Sequence, residues 1–155
     1  SKAGDRSQLR DAWRMAADCD SHVMAESWIT GTEYTAAVLG RRPLPLIRLE
    51  TPHDFYDYDA KYHADDTRYH VPCGLDATTE EALQALALQT FDAVGARGWG
   101  RVDILVDKQD RPWVIEVNTV PGMTGHSLVP MAAAAVGIDF DDLVWEILMQ
   151  TTEAS

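Results

Sequence analysis

Cysteine is nearly missing from this chain. Cys19 and Cys73 are its only thiols, too few for a disulfide framework and suited to a reducing cytosol. Basic residues are outnumbered, 13 Lys and Arg against 25 Asp and Glu, for a formal net charge of −12. That balance argues against a nucleic-acid partner, since binding a phosphate backbone needs a basic patch. An anionic small molecule would need the few cations gathered in one place and a metal recruited. No apolar run approaches membrane-spanning length, and no charged-then-apolar start marks a secretory signal, so neither a membrane partner nor export is expected. Zinc is not expected either, because His53, His63, His70 and Cys73 include no close ligand pair. Repeats and low-complexity runs are lacking. The 155 residues, 46% of them hydrophobic, suffice for one core and ask for no second.

What is present centres on Gly98 to Gly122, GWGRVDILVDKQDRPWVIEVNTVPG. Val102, Ile104 and Val106 alternate with Arg101, Asp103 and Leu105. After a polar break, Trp113, Ile115 and Val117 alternate with Val114, Glu116 and Asn118. A period of two on either side of a break predicts a hairpin. A turn centred between Gln109 and Asp110 sets Asp103 across from Glu116 and Arg101 across from Asn118, all on one face. Two facing carboxylates repel, so the pair calls for a cation between them or a raised pKa on one. Asn118 adds a neutral oxygen, and carboxylate with carbonyl oxygens is the donor set Mg²⁺ prefers. The competing reading is the solvent-facing polar side of an ordinary hairpin.

Around the hairpin, Asp5 and Gln8 have capping-box spacing, and Leu9, Ala12, Trp13 and Ala16 share a face, which predicts a helix from about Asp5 to Asp18. His22 to Trp28 reads as a strand, Gly31-Thr32 as a turn, and Glu33 to Leu39 as a second strand able to pair with the first. Leu46 to Glu50 is another short strand. Thr51 to Gly74 reads as a long loop rich in Asp, Tyr and His, and within it Lys61 is the sole lysine between Lys2 and Lys108. Loops of that length in compact chains are usually functional or disordered. Thr78 and Glu81 form a second capping box, opening a helix that Gly95 stops. A glycine-bearing loop, TVPGMTGHS, leads to a helix from about Ser127 to Val136, with Ser127 as its cap, and a last helix starts at Asp139. Backbone N–H groups at such a loop and helix start suit an anion.

Four stretches, GWGRVDILVD, VIEVNTVPGMTGHSLVPMAA, ESWITGTEYTAAVLG at 26 to 40 and FYDYDAKY at 55 to 62, resemble the carboxy-terminal half of the D-alanine:D-alanine ligases of the ATP-grasp superfamily, in the same order and at compatible spacing. The resemblance covers nearly the whole chain. It implies an α+β fold of the ATP-grasp type, an antiparallel sheet backed by helices and forming the second half of the ATP-grasp region, as a single segment over 1–155. The family's separate amino-terminal domain and first half of the nucleotide-binding domain would lie upstream, which leaves this piece expected to be inactive alone.

The resemblance also implies roles for residues. Glu26 would accept from the adenine amino group, Ile29 would offer backbone contacts, Trp28 would belong to the same nucleotide site, and Glu33 would bind the ribose hydroxyls. Read without the family, Trp28 and Ile29 are packing residues and Glu33 a solvated charge. Lys61 would bind phosphate and Tyr62 would help close a lid over the substrate, where the residues alone suggest a surface lysine. The retained AKY is closer to the dipeptide-forming ligases than to relatives that join D-alanine to D-lactate. Asp103, Glu116 and Asn118 would hold Mg²⁺, two ions, with Mn²⁺ as the alternative. Arg101 and the Gly122 N–H would stabilise an oxyanion, and Ser127 with Leu128 would receive the carboxylate of the second D-alanine. The implied activity is ATP-dependent formation of D-alanyl-D-alanine for peptidoglycan synthesis in the cytoplasm, with a homodimer in the complete protein. Two other readings stand beside it: an ATP-grasp enzyme joining a different carboxylate and amine, and a nucleotide-binding module without catalysis.

Overall fold

The structure, a computed structural model, describes residues 1–50 and 67–153. Among the described residues four helices and six strands follow in the order α1 (Arg6–Ala17), β1 (Gly31–Leu39), β2 (Arg42–Pro43), β3 (Ile47–Glu50), β4 (Arg68–His70), α2 (Ala77–Ala93), β5 (Trp99–Asp107), β6 (Pro112–Asn118), α3 (Leu128–Ala134) and α4 (Phe140–Glu153). The strands form one antiparallel sheet in the order β4-β3-β1-β5-β6, with β2 folded back on β1. This is the α+β architecture expected, and β1 and β5, paired over nine residues, are its spine.

Each face of the spine carries its own apolar cluster because side chains alternate along a strand. Tyr34, Ala36 and Val38 with Val102 and Ile104 form one face, covered by Leu83, Ala87 and Phe91 of α2. Ala37, Leu39, Ile47 and Leu49 belong to the other, covered by Leu128, Val129 and Ala132 of α3 and by Leu143 of α4. The helices on that second face cover only one end of it. Beyond them lie Glu33, Thr35, Arg101, Asp103, Glu116 and Asn118, which the register sets on this same face. The sheet therefore presents a polar field bounded by a core.

Several sequence expectations are met and several are corrected. Asp5 caps α1 by accepting from the Ser7 and Gln8 N–H groups, but Gln8 returns its bond to the Gly4 N–H. Residues 23–30 enter no ladder, so the strand expected over His22 to Trp28 does not form, and Gly31-Thr32 open β1 rather than make a turn. The segment pairs with neither edge of the described sheet, β4 or β6. The loop expected up to Gly74 yields a strand at Arg68–His70, paired with β3. The cap of α2 is Asp76, whose side chain accepts from the Thr79 N–H and hydroxyl; it holds the position two residues before the Thr78 capping box, and those bonds keep its own carboxyl below the ordinary range. Gly95, at φ 71°, ends that helix as expected. Cys73 is buried, and burial pushes its thiol pKa up, which suits packing rather than reaction. No helix among the described residues is long and apolar enough to cross a membrane.

None of the residues of α1 is buried, and Leu9, Trp13 and Met15 stand exposed. Its amphipathic pattern prepares a face that nothing among the described residues covers.

Candidate functional site

The hairpin carries the site. Asp103 of β5 stands opposite Glu116 of β6, and Arg101 opposite Asn118. The predicted pairs are correct although the predicted turn was not. Val106 pairs with Pro112 and Ile104 with Val114, which centres the turn on Gln109, and a bulge between Asp103 and Ile104 leaves Ile115 as the extra residue of β6. The bulge makes up the difference. It also breaks the strict alternation expected of β6: Trp113 faces the same way as Glu116, and Val114 faces the same way as Val117, towards the α2 cluster.

Among the described residues Arg101 supplies a cation between the facing carboxylates. Its Nε donates to Asp103 Oδ1 at 2.9 Å and its Nη2 to Oδ2 at 2.8 Å, while Nη2 lies 3.7 Å from Glu116 Oε1. Burial differs sharply across the group, with side-chain exposures of 3% for Asp103, 12% for Arg101 and 45% for Glu116. Asp103 is thus a buried, bidentately held carboxylate, and Glu116 is its solvent-facing partner. Thr35 of β1 sits across the ladder on the other side of Asp103 and donates its hydroxyl to Oδ1 at 2.7 Å. Asn118 Oδ1 accepts from the Val120 N–H at 3.1 Å, which tightens the chain as it leaves β6. Among the described residues no three His, Cys, Asp or Glu side chains gather into a metal cage. The set here is two carboxylates and one carboxamide, hard oxygen donors suited to Mg²⁺, and the guanidinium against both carboxylates shows that they draw positive charge. In donor type the three residues suit a divalent ion.

The loop after β6 is closed by Ser127. Its Oγ accepts from the Thr124 N–H at 2.9 Å and contacts the Thr124 hydroxyl at 2.9 Å. Ser127 holds the N-cap position of α3 as expected, but its side chain makes no cap bond. A Cβ at Gly122 would come within 2.9 Å of Ser127 Oγ, so only glycine fits that approach without moving the serine. The Leu128 side chain is in the core, which leaves its backbone as the part able to meet a ligand.

A depression opens at the other end of the hairpin, between Trp28, Ile29 and Thr30 and the turn residues Asp107, Lys108, Gln109 and Arg111. Trp28 is half-exposed with Lys2 Nζ 4.5 Å above its ring, and Glu26 is exposed. Glu33 lies two residues into β1 beyond Gly31, opposite Leu105. Lys61 and Tyr62 lie outside the described residues. The turn itself is braced by Asp107, which accepts from the Gln109 and Arg111 N–H groups, Arg111 Nε and Trp113 Nε1. Burial would raise the Asp107 pKa, but the bonds from Trp113, Arg111 and Gln109 outweigh it and bring it to about 2 from an ordinary 3.8. Because the folded value is depressed, the stabilisation is present above pH 3.8 and is lost as pH falls through about 2. In urea titrations, wild type is expected to be more stable than Asp107→Asn at neutral pH, and the gap to close between pH 3.8 and about 2.

Sequence reasoning missed Thr35 and the turn residues facing Trp28. The signal for Thr35 was a hydroxyl amino acid inside the apolar run from Tyr34 to Leu39.

The family model described as the D-ala D-ala ligase C-terminus matches residues 1–149. The chain belongs to that family. It is 62% identical over 148 residues to a D-alanine--D-alanine ligase of Methylococcus capsulatus and 59% identical over 145 residues to one of Nitrosococcus oceani, covering 96% and 94% of this chain but 48% and 46% of those proteins. The chain therefore spans about half the length of the curated relatives it matches. A crystal structure of D-alanine--D-alanine ligase from Bacillus anthracis complexed with ATP superposes with a TM-score of 0.82 at 29% identity, over 97% of this chain and 48% of that one. Family and fold agree with the resemblance read from the sequence.

Proposed function

We propose that this chain is the carboxy-terminal part of an ADP-forming D-alanine:D-alanine ligase and carries its metal, oxyanion and second-substrate groups. The observation that carries the reading is the register that sets Asp103 against Glu116, with Arg101 between them, in a chain of this family. A module released from catalysis has no physical need to gather these oxygen donors on one face, beside a loop in which Gly122 leaves room for the Ser127 hydroxyl.

In this reading the adenine lies against Trp28 and Ile29 with Glu26 accepting from its amino group, Glu33 takes the ribose hydroxyls, and Lys61 meets the phosphates. ATP complexed with the Bacillus anthracis relative supports the nucleotide assignment. Asp103, Glu116 and Asn118 would hold Mg²⁺, two ions or Mn²⁺ in their place, which would supply charge neutralisation for phosphoryl transfer. The γ-phosphoryl group passes to the carboxylate of one D-alanine, releasing ADP and leaving an acyl phosphate. Tyr62 would help to exclude water from that hydrolysable species. The amine of a second D-alanine, its carboxylate held at Ser127 and Leu128, attacks the acyl carbon, and Arg101 with the Gly122 N–H stabilises the negative oxygen until phosphate leaves. Loss of the amine proton completes D-alanyl-D-alanine. The dipeptide would serve peptidoglycan synthesis in the cytoplasm, where ATP is available, and the complete protein would be a homodimer.

Phosphate release with ATP and D-alanine separates the readings, measured on the 155-residue chain and on the chain joined to the upstream half that its relatives possess. Turnover is expected from the joined protein and not from the chain alone. If the joined protein forms ADP only with a different carboxylate or amine, the D-alanine assignment is wrong.

A further inference from the structure

We propose that Thr35 is a positioning residue for Asp103, deciding which oxygen of that carboxylate is turned towards Glu116 and the divalent ion. The inference rests on the proposed reading of Asp103, Glu116 and Asn118 as metal donors.

Thr35, Asp103 and Glu116 form a single cross-strand row over β1, β5 and β6. Thr35 and Asp103 are each 2% exposed, and a hydroxyl at such depth costs free energy unless it is bonded. The neighbours of Thr35 in β1 are Tyr34, Ala36 and Ala37, all core residues. Valine would match its shape and has no polar group to satisfy, so the hydroxyl is what distinguishes the residue. An ionised carboxylate can only accept, which fixes the direction of the 2.7 Å bond from Thr35 Oγ1 to Asp103 Oδ1.

The consequence is an asymmetry between the two oxygens. Oδ1 receives Thr35 Oγ1 and Arg101 Nε, whereas Oδ2 receives Arg101 Nη2, the same atom that approaches Glu116 Oε1. Oδ2 is therefore the oxygen on the Glu116 side. The terminal torsion of an aspartate is broad and roughly two-fold, so the Thr35 bond adds a restraint on Oδ1 that does not move with the Arg101 side chain. Arg101 in turn is the group proposed to meet the oxyanion. A hydroxyl on the far strand keeps Asp103 oriented while Arg101 serves the substrate, as outer partners of metal ligands generally do.

The test is an electron paramagnetic resonance titration of Mn²⁺ into the 155-residue chain, comparing wild type with Thr35→Val, Thr35→Ser and Asp103→Asn, with circular dichroism as the check on folding. Thr35→Val is expected to weaken Mn²⁺ binding by about 10–100-fold, the usual effect of removing an outer partner, with an unchanged spectrum. Thr35→Ser, which keeps the hydroxyl, is expected to bind close to wild type. The proposal is overturned if Thr35→Val binds as wild type while Asp103→Asn does not, or if Thr35→Ser is as weak as Thr35→Val. If wild type and Asp103→Asn take up Mn²⁺ alike, the metal reading itself is wrong, and the role of Thr35 falls with it.

Discussion

Asp103→Ala is expected to lower the unfolding free energy by about 3 kcal/mol and, in the protein joined to its upstream half, to abolish Mg²⁺-dependent turnover. The stability loss follows from what is left behind. Arg101, at 12% side-chain exposure, loses both its bonds to Asp103, and the buried Thr35 hydroxyl loses its acceptor. Breaking a buried pair by removing one partner costs roughly 3–5 kcal/mol, because a charge remains without compensation. The lower end applies here since Glu116 still lies 3.7 Å from Arg101 Nη2. Removing both charges together, Arg101→Met with Asp103→Leu, is expected to be less damaging than Asp103→Ala, since no unpaired ion is stranded. Urea denaturation measures the first effect. Normal Mg²⁺-dependent turnover in Asp103→Asn would rule out the metal assignment.

Phe91→Ala is expected to cost about 3–5 kcal/mol, the usual range for emptying a buried aromatic site. In a chain of this length each kcal/mol corresponds to about 2–4 °C in melting temperature. Phe91 is 2% exposed and its ring lies over Gly100, where a Cβ would come within 2.6 Å of Phe91 Cε2 and 2.9 Å of the Asn118 carbonyl oxygen. Gly100→Ala is accordingly expected to be severe in wild type and milder in the Phe91→Ala background, where only the backbone obstacle persists. Calorimetry of the two single variants and the double variant checks both statements. Additive losses would mean that the ring and the glycine do not share that space.

Much of the molecule could be read before any coordinates. The helices were announced by caps and periodicity, because those signals are local. The four residues of the acid-and-base face were placed correctly since their pairing is set by the hairpin, whose two strands are adjacent in sequence. What could not be read depends on the chain's distant parts. The alternation of Val23 to Trp28 is as regular as that of a strand, yet pairing requires an edge, and only tertiary structure decides whether one is available. Thr35 lies 68 residues from the carboxylate it holds, so nothing local marks the contact. The Asp76 cap competed with a well-formed Thr78 pattern, and the choice went to the side chain whose two oxygens could both be used at Thr79. The nucleotide and substrate roles came from family likeness, since solvated Glu26 and half-exposed Trp28 have no geometry that by itself demands a ligand.

The extra residue in β6 gives the hairpin slack. A ladder without it would transmit any change of turn length along its whole length, since a slip of one residue turns every side chain over. Here Ile115 lets the turn segment and the acidic segment keep separate phases. A residue gained or lost between Lys108 and Arg111 is therefore expected to leave Glu116 opposite Asp103, with the misfit absorbed at the bulge. Variation beside the depression at Trp28 is in this way decoupled from the pairing of Asp103 with Glu116.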